Sequence, residues 1–397
     1  MPTPARPTSH QVVVIGGGYA GAVAANRLRM RDDVDVTLVN PRPMFVDRIR
    51  LHQVVAGTGE AGVDYGTLLG EGVHLVVDDV TCLDTAARAV RLSSGRALGY
   101  DYVVYAVGST GATPPTVPGA AELAHCIAEW EPAQRLRARL AELPSDAPII
   151  VVGAGLTGIE TASELAEQGR RVTLVCGGVL APSVAARARR SVAGWLSRHR
   201  VAVLEAAVVA EVRSDAVVLA DGTVHPSALT IWAAGFGVPG LATASGLRTD
   251  ELGRLRTDET LTSVDDTRIV AAGDAAAPSG LPLRMSAQAA APLGAQAADT
   301  VLSRIAGTEP AEIDLGFVGS CVSLGRSAGV RQLARKDDTP VDFSFGGRAG
   351  AAYKELTCKL GVWKIRREAR RPGSLLWAKG GRRAGRTPSD LRADTSP

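Results

Sequence analysis

Short runs of apolar, often β-branched residues recur along the chain and predict buried parallel strands. Each run ends at a glycine, an asparagine or a cysteine, and helical stretches follow several of them. The predicted strands are residues 12–15, 34–39, 102–107, 149–152, 172–175, 229–234 and 267–272. Strands that alternate with helices in this way predict an α/β fold with parallel sheets.

Two of these strands lead into the same glycine spacing. The six glycines are Gly16, Gly18 and Gly21 in the first copy and Gly153, Gly155 and Gly158 in the second. In a G-x-G-x-x-G turn the first glycine permits the tight turn, the second admits backbone N–H groups to a pyrophosphate, and the third lets helix and strand pack closely. The helix that follows offers the anion free N–H donors and a positive dipole end. Each copy therefore predicts a dinucleotide site.

The two copies also match further along the chain. The first continues to a turn at Gly95 and a strand ending at Gly108, and the second to a turn at Gly222 and a strand ending at Gly235. From the first glycine, these intervals are 79 and 92 residues in the first copy, and 69 and 82 in the second. A constant offset of ten predicts a duplicated architecture. Two dinucleotides in one chain imply that electrons pass between them.

The residue after the second strand departs from the usual pattern in both copies. An acidic residue about 20 positions after the glycines commonly holds the ribose hydroxyls. Asn40 takes this place in the first copy, where it either bonds the ribose or only starts a turn. In the second copy Cys176 offers neither the carboxylate suited to NAD nor the arginine suited to NADP. The arginines that follow either meet a 2′-phosphate or form a solvated helix face; they are Arg187, Arg189 and Arg190.

Residues 45–53 mix polar and apolar side chains and allow two interpretations. They line a bound flavin, with Arg48 or His52 near its ring or phosphates, or they form a surface helix. Residues 73–80 and 90–98 predict strands of a small antiparallel layer. Residues 317–330 predict two short strands.

The 397 residues are too many for one core and predict two domains with an appendage. A Pro-rich linker at 114–119 separates them. We expect a disordered lead at 1–10, a discontinuous first domain at 11–115 and 257–320, a second domain at 116–256, and a C-terminal interface segment with a basic tail at 321–397.

Composition narrows the class of protein. With 46% hydrophobic and 21% charged residues, and no apolar run of the roughly 18 residues that a membrane span needs, we expect a cytoplasmic globular protein. The five cysteines lie too far apart for a CxxC redox pair, and no metal site is predicted. Residues 354–397 hold 12 Lys and Arg against 4 Asp and Glu, whereas the rest holds 32 against 37. Because Lys336 is the first lysine, any ammonium near a cofactor must come from the C-terminal region.

The ordered motifs resemble the two-dinucleotide flavoprotein reductases of the pyridine-nucleotide-disulphide oxidoreductase superfamily. Besides the two glycine turns, the matching segments are Ala106-Val107-Gly108-Ser109, Trp232-Ala233-Ala234-Gly235 and Ala271-Ala272-Gly273-Asp274. Gly155-Leu156-Thr157-Gly158-Ile159-Glu160 and Ser286-Ala287-Gln288 are most similar to the type II NADH dehydrogenase branch, which includes apoptosis-inducing-factor-like proteins. The resemblance implies two Rossmann-like domains, with FAD in the first and NAD(P)H in the second.

The resemblance also implies roles for individual residues. The expected cofactor-binding residues are Gly16, Gly18, Tyr19, Ala20, Gly21, Asn40, Arg48, Ala106, Gly108, Gly153, Gly155, Thr157, Gly158, Cys176, Ala234, Gly235, Gly273, Asp274 and Ala287. Asp274 is expected on the ribityl chain. Glu160 and Gln288 are the expected catalytic groups, Glu160 beside the nicotinamide and flavin and Gln288 at the pyrimidine edge of the flavin. Alternatively, Glu160 only makes a favourable contact with its helix dipole. Pro292 stands where the branch commonly has a second glutamine.

By this resemblance, hydride passes from nicotinamide C4 to flavin N5, and electrons then pass to a quinone or a similar small acceptor. The alternatives are a ferredoxin-type reductase, a tailoring flavoenzyme of secondary metabolism, and an NADH-responsive redox-sensing protein. The basic tail has three interpretations: contact with anionic lipid at the inner face of the membrane, packing over the flavin, or non-specific nucleic-acid affinity. No specific nucleic-acid partner is expected, and a homodimer is compatible with the sequence.

Overall fold

The computed structural model describes residues 9–381 and 383. A parallel sheet holds the first glycine strand at its centre. Its strands, in spatial order, are Ile269–Ala271, Tyr102–Tyr105, His10–Ile15, Val34–Asn40 and Val73–Val77. Helices Tyr19–Leu28 and Ala287–Ile305 pack against each other beside it. The β-branched residues of the central strand are buried on both faces, as the continuous apolar run predicts.

A second parallel sheet repeats this arrangement around the second glycine strand. Its strands, in spatial order, are Ala124–Cys126, Leu229–Trp232, Pro148–Val152, Arg171–Val175 and Ala202–Leu204. Its longer helices are Trp130–Glu142, Leu156–Glu167 and Ala186–Arg198. In the first sheet the glycine strand lies between Val34–Asn40 and the strand Tyr102–Tyr105, which leads to Gly108. In the second sheet it lies between Arg171–Val175 and the strand Leu229–Trp232, which leads to Gly235. The predicted α/β fold with duplicated units is therefore confirmed.

Each unit also carries a small antiparallel layer. The strands are Val80–Asp84, Ala89–Leu92 and Ala97–Gly99 in the first unit, and Val209–Val212, Ala216–Leu219 and Val224–Pro226 in the second. One prediction is wrong: residues 73–77 do not belong to this layer but pair in parallel with Val34–Asn40. Alternation within a short apolar segment does not reveal which neighbour it pairs with.

Shorter elements connect these sheets. The paired strands are Met44–Val46 with Gly62–Asp64, Thr110–Gly111 with Phe236–Gly237, and Leu255–Thr257 with Ala276–Pro278. The short helices are Arg48–Arg50, Leu51–Ala56, Tyr65–Thr67, Ala120–Leu123, Leu241–Ala244 and Gly273–Ala275. Because residues 51–55 are buried, the surface-helix interpretation of this segment is wrong.

The C-terminal segment touches both units. Strands Gly319–Leu324, Ala328–Ala334 and Pro340–Gly346 form an antiparallel sheet, and helix Gly347–Arg370 follows. The first two strands agree with the prediction, whereas the third strand and the helix were not predicted. Side chains of this sheet join the core of the second unit, and Ile365 of the helix joins the core of the first.

A buried carboxylate fixes the end of this C-terminal helix. Glu368 is fully buried, and its carboxylate accepts hydrogen bonds from the backbone N–H groups of Gly373 at 2.7 Å and Leu375 at 2.6 Å. It also pairs with Arg27 of the first glycine helix at 3.3 Å. The chain after the helix is thereby held against the first unit.

Most of the predicted disordered lead, residues 1–8, lies outside the described residues, and His10 already belongs to the first strand. Residues 382 and 384–397 of the predicted basic tail also lie outside them. Within the part of the chain that the structure describes, no helix is both long and apolar enough to cross a membrane.

Candidate active site

In the first glycine loop, Gly16 and Gly21 are closely packed, whereas Gly18 has open space beside it. Gly16 has φ +94°, and a methyl group there would lie 2.4 Å from the carbonyl oxygen of Ala106. A methyl group at Gly21 would lie 1.7 Å from the carbonyl oxygen of Gly16. At Gly18 no atom of the described residues lies within 4 Å of such a methyl group. The space beside Gly18 fits the approach of a dinucleotide pyrophosphate to the start of the first glycine helix.

The second glycine loop has the same geometry. Gly153 has φ +112°, and a methyl group there would lie 2.8 Å from the backbone nitrogen of Ala234. A methyl group at Gly158 would lie 1.8 Å from the carbonyl oxygen of Gly153, whereas Gly155 has no described atom within 4 Å of its methyl position. Among the described residues, no side chain caps the N-terminus of either glycine helix. Both loops therefore fit a dinucleotide.

Asn40 and Tyr65 form hydrogen bonds to the backbone of the first glycine loop. The side-chain oxygen of Asn40 accepts a hydrogen bond from the Gly17 N–H at 2.9 Å, and its nitrogen donates to the carbonyl of Arg42 at 2.7 Å. The Tyr65 hydroxyl donates to the Gly17 carbonyl at 2.7 Å. The amide of Asn40 thus stabilises the loop, and its contact with a ribose stays a prediction. The part played by Tyr65 was not predicted.

A hydrogen-bonded chain brings three separate predicted segments together. The Arg48 guanidinium donates to the carbonyls of Ser109 at 2.7 Å and Ala128 at 2.8 Å. The Ser109 hydroxyl donates to the Asp274 carboxylate at 2.7 Å. Gly108, with φ +73°, lies beside the Arg48 guanidinium. Arg48 and Asp274 therefore belong to one polar network at the carboxyl ends of the first sheet, where ligands of open α/β sheets bind.

The helix Ala287–Ile305 starts close to the same region. Ser286 caps it by accepting a hydrogen bond from the Ala289 N–H at 3.3 Å. When its amide is oriented to match its neighbours, Gln288 donates to the Gly319 carbonyl and accepts from the Val318 N–H, both at 2.9 Å. Gln288 thereby anchors the C-terminal sheet, and its catalytic role stays a prediction.

Gly273 and Gly294 allow their segments of the chain to approach the first glycine helix closely. A methyl group at Gly294 would lie 2.1 Å from the Ala20 carbonyl oxygen, and one at Gly273 would lie 3.2 Å from the Ala20 side chain. Pro292 is buried inside the helix Ala287–Ile305 and has no N–H to donate to the carbonyl of Gln288. Ala20 and Gly273 are therefore neighbours, and their contacts with a cofactor stay predictions.

Tyr19, the first residue of the first glycine helix, is buried under the C-terminal helix. Its hydroxyl donates to the Asp47 carboxylate, and its ring meets Phe45 edge-on with centroids 5.1 Å apart. Gly361 of the C-terminal helix lies against the ring. Burial and the Asp47 carboxylate raise the pKa of the Tyr19 hydroxyl well above its usual value. The C-terminal helix thus closes one side of the predicted flavin-binding region.

A buried ion pair joins the second glycine helix to the C-terminal helix. The Lys354 ammonium lies 2.7 Å from Oε1 of Glu160, which also accepts a hydrogen bond from the Ser323 N–H at 3.0 Å. Burial opposes both charges, but each charge stabilises the other. The pKa of Glu160 is therefore held below its usual value and that of Lys354 is raised. Both groups are charged near neutral pH.

His52 and Glu164 extend this cluster. His52 is buried, with Nδ1 3.6 Å from Oε2 of Glu160 and Nε2 4.0 Å from Oε1 of Glu164. Burial lowers the pKa of His52 to about 4, so the imidazole is neutral. Burial also raises the pKa of Glu164 to about 7, against a hydrogen bond from Thr58 and the charge of Arg326.

In the second unit, Cys176 follows strand Arg171–Val175 at the position where a ribose-binding acid is usual. Burial and the nearby Glu205 carboxylate raise the pKa of the Cys176 thiol to about 11. Thr157 lies in the first turn of the second glycine helix, and its carbonyl accepts the Thr161 hydroxyl. Gly235 has φ +78°, and the strand that follows it, Phe236–Gly237, pairs with Thr110–Gly111. Cofactor contacts of these residues stay predictions.

Sequence reasoning found the glycine loops but missed most partners of Glu160. Ser323 and Glu164 were not singled out, because nothing local distinguishes them from other polar residues. Lys354 had one signal: the absence of lysine before Lys336 required any ammonium near a cofactor to come from the C-terminal region. His52 was a candidate for the flavin; it lies 3.6 Å from the Glu160 carboxylate, and its place near the flavin stays a prediction.

Comparison with known proteins agrees with this geometry. Residues 10–294 match the model of the pyridine nucleotide-disulphide oxidoreductase family. An NADH dehydrogenase-like protein of Mycobacterium tuberculosis is 32% identical over 296 residues, covering 67% of this chain and 73% of that protein. The type II NADH:quinone oxidoreductase of the same organism is 28% identical over 391 residues, covering 86% and 82%.

The sulfide:quinone oxidoreductase of Aquifex aeolicus has the same fold. Its structure superposes with a TM-score of 0.77 at 20% identity, covering 91% of this chain and 92% of that one. The five cysteines of this chain all lie within the described residues, and each of them is free. The chain belongs to the pyridine nucleotide-disulphide oxidoreductase family and is an FAD-dependent NAD(P)H oxidoreductase.

Proposed function

We propose that this protein oxidises NADH and passes the electrons through FAD to a quinone at a lipid surface. The relatives named as NADH:quinone oxidoreductases support the choice of acceptor. The observation that carries the proposal is the buried Glu160–Lys354 pair, 2.7 Å apart, which links the second glycine helix to the helix that covers Tyr19. This pair fixes a charge on the second glycine helix, and a hydride transfer between two dinucleotides needs electrostatic control of this kind.

Each part of the chain contributes binding or orientation. Bound FAD supplies the chemistry that accepts a hydride and then releases electrons to the acceptor. The open position at Gly18 and the first helix N-terminus would receive its pyrophosphate, and Asp274 with Arg48 would bind its polar chain. Gly155 would receive the pyrophosphate of the nicotinamide cofactor. Because the Glu160 carboxylate is ionised and held by Lys354, it offers a fixed negative charge near the start of the second glycine helix.

The surroundings of Cys176 favour NADH over NADPH. Glu205 lies close enough to raise the pKa of the Cys176 thiol, and a carboxylate there repels a 2′-phosphate. The candidate arginines give little compensation. Arg189 donates to the Val184 carbonyl at 3.3 Å, and Arg187 is exposed on helix Ala186–Arg198.

Anaerobic titration tests the function and the choice of nucleotide together. We expect the visible flavin band to bleach with NADH at least about tenfold faster than with NADPH, and to return when a short-chain quinone is added. Glu205→Gln should narrow the difference, because it removes the repelling charge and keeps the oxygen that accepts the Leu180 N–H at 3.0 Å. A flavin that neither nucleotide bleaches, or that quinone does not reoxidise, contradicts the proposal.

The C-terminal helix supports work at a lipid surface. Leu356, Leu360 and Trp363 follow one another at helical spacing and are 52%, 40% and 48% exposed. Basic side chains flank this stripe; they are Lys359, Lys364, Arg366, Arg367 and Arg370. An apolar stripe bordered by cations is complementary to a membrane surface with anionic headgroups. We assign the predicted membrane contact to this stripe.

Co-sedimentation with vesicles of equal parts phosphatidylcholine and phosphatidylglycerol tests the contact. We expect the double variant Leu356→Ser and Trp363→Ser to bind at least about tenfold more weakly than the wild type, because it loses apolar area that enters the interface. Val224→Ser is a matched control, since Val224 is 51% exposed on the small antiparallel layer. Equal binding of the double variant and the wild type would exclude the stripe as the contact.

A further inference from the structure

A cleft of about 590 Å³ lies beside the end of the C-terminal helix. Its lining includes Arg366 and Arg370 of this helix and Arg29, which follows the first glycine helix. Glu71 is the one acidic residue that the described chain contributes to it. The cleft therefore has an excess of positive charge, and its volume is within the range of small-molecule sites, about 300–1,000 Å³.

Arg29 is held in place by backbone carbonyls of two separate segments. Its Nε donates to the Glu71 carbonyl and its Nη1 to the Ala369 carbonyl, both at 2.6 Å. Gly70 allows this approach, since a methyl group there would lie 1.8 Å from Nη1. The remaining nitrogen, Nη2, donates to no atom of the described residues. A guanidinium that is already fixed loses little conformational freedom when its free nitrogen binds a ligand.

The other two arginines have no carboxylate partner within residues 9–381 and 383. Arg366 donates only to the Thr67 hydroxyl, at 3.4 Å, and the exposed Arg370 side chain forms no hydrogen bond or ion pair there. By contrast, Arg27 of the first glycine helix pairs with Asp299 at 2.6 Å. Arg366 and Arg370 are four residues apart on one helix, a spacing at which like charges repel each other. A bound anion would relieve this repulsion.

The three guanidinium groups suit a phosphate monoester. Guanidinium groups donate parallel N–H bonds to phosphate oxygens, and these charge-assisted bonds are shorter and stronger than neutral ones. A phosphate monoester carries a charge of about −1.5 to −2 at neutral pH and has three strong acceptor oxygens. A carboxylate has one negative charge and two oxygens, so it would satisfy fewer of the available N–H groups.

The cleft adjoins the exposed apolar stripe of the same helix. Trp363 is the last residue of that stripe, and Arg366 and Arg370 follow it by three and seven residues, so the three residues share one face of the helix. Seven residues of an α-helix span about 10 Å. A lipid carries its phosphate at one end of its acyl chains, so its phosphate would enter the cleft while the chains contact the stripe. A soluble phosphate monoester offers the same phosphate without the chains.

We propose that this cleft binds a phosphate monoester, of a lipid or of a soluble compound, through Arg29, Arg366 and Arg370. The ligand is held by ionic hydrogen bonds, and no covalent step is involved. Because Arg29 belongs to the first unit and the other two arginines to the C-terminal helix, the ligand joins the two parts of the chain. Phosphate binding is independent of the proposed function, whereas a lipid source rests on the proposed membrane contact.

Isothermal titration calorimetry of the FAD-loaded protein tests the proposal. Excess NAD⁺ and constant ionic strength keep the probes away from the glycine loops and hold charge screening fixed. The probes are glycerol 3-phosphate and dihexanoyl phosphatidic acid below its micelle-forming concentration. We expect Arg370→Gln to weaken the binding of both at least about tenfold, and Glu71→Gln to strengthen it about threefold by removing a repelling charge. Lys364→Gln is the matched control, because this exposed lysine of the same helix lies outside the cleft lining, and it should change binding less than about twofold.

The two probes carry the same phosphate group, so a difference between them comes from the acyl chains. Binding of the lipid at least about tenfold more tightly, with this advantage lost in the double variant Leu356→Ser and Trp363→Ser, supports the site and identifies a lipid. Equal binding supports the site and identifies a soluble phosphate monoester. Absence of binding, or equal weakening by Arg370→Gln and Lys364→Gln, overturns the proposal. None of these results depends on electron transfer, which the bleaching of the flavin by NADH tests separately.

Discussion

Replacing Lys354 by methionine is expected to lower the free energy of unfolding by about 3–5 kcal/mol, because it leaves the Glu160 carboxylate buried without its cation. Glu160 is only 5% exposed, so little water contacts its carboxylate. Urea denaturation of the FAD-loaded protein measures the change. Lys359→Met is the matched control on the same helix. Its side chain is 70% exposed and pairs with Glu355 at 3.6 Å, a contact worth at most about 0.5 kcal/mol.

The pH dependence of this variant has a definite sign. In the wild type, Lys354 holds the pKa of Glu160 below its usual value, so the stabilisation by the pair is present at neutral pH and is lost as pH falls through that depressed pKa. Without Lys354, burial raises the pKa of Glu160 instead. The deficit of Lys354→Met should therefore shrink in acid, where Glu160 takes up a proton.

A double variant separates stability from activity. Glu160→Gln combined with Lys354→Met removes both charges and should recover most of the lost stability. It should not recover quinone turnover, since glutamine at position 160 lacks the fixed negative charge that the Glu160 carboxylate offers near the start of the second glycine helix. Equal stability losses for Lys354→Met and Lys359→Met would contradict the buried-pair account.

Alanine at Gly18 or Gly155 is expected to block one cofactor each without harming the fold. At both positions no described atom lies within 4 Å of the added methyl group, and φ is −70°, a value that alanine adopts easily. The methyl group instead occupies the space assigned to a pyrophosphate. We expect about 1–3 kcal/mol of lost binding, or about tenfold to a hundredfold in Kd.

The two variants should weaken the binding of different cofactors. Gly18→Ala should weaken binding of FAD, measured by flavin release during ultrafiltration. Gly155→Ala should retain FAD and raise the NADH concentration needed to bleach it. Gly240→Ala is the control, because Gly240 also has an open methyl position and φ −72° but lies outside both loops. If all three variants behave like the wild type, the open positions do not face the cofactors.

Local sequence pattern was sufficient to predict the elements that we expect to bind the cofactors. β-Branched runs predicted the central strands, and the glycine spacing predicted both loops, because strand formation, φ above zero and close backbone approach depend on residues a few positions apart. The equal offset between the copies predicted the duplication. Accordingly, Gly16 packs against Ala106 in the first unit, and Gly153 packs against Ala234 in the second.

Local sequence pattern did not predict the placement of segments whose packing partners are distant along the chain. Residues 73–77 have a sequence compatible with either sheet, and pairing with Val34–Asn40 settled their place. The helix Gly347–Arg370 was not predicted, although its mixture of basic and apolar residues was noted. Its apolar positions divide between burial, as at Ile365 in the core of the first unit, and exposure on the stripe, so no single amphipathic face stands out.

The sequence by itself thus determined the fold class, the duplicated dinucleotide units and the family resemblance, since these depend on spacing along the chain. Only the tertiary structure decided the partners of Glu160. Lys354 lies on the last helix, His52 on a short helix of the first unit, and Ser323 on the C-terminal sheet. A buried charge requires a compensating partner, but the identity of that partner depends on which surfaces pack together. Such long-range packing has no counterpart in local periodicity.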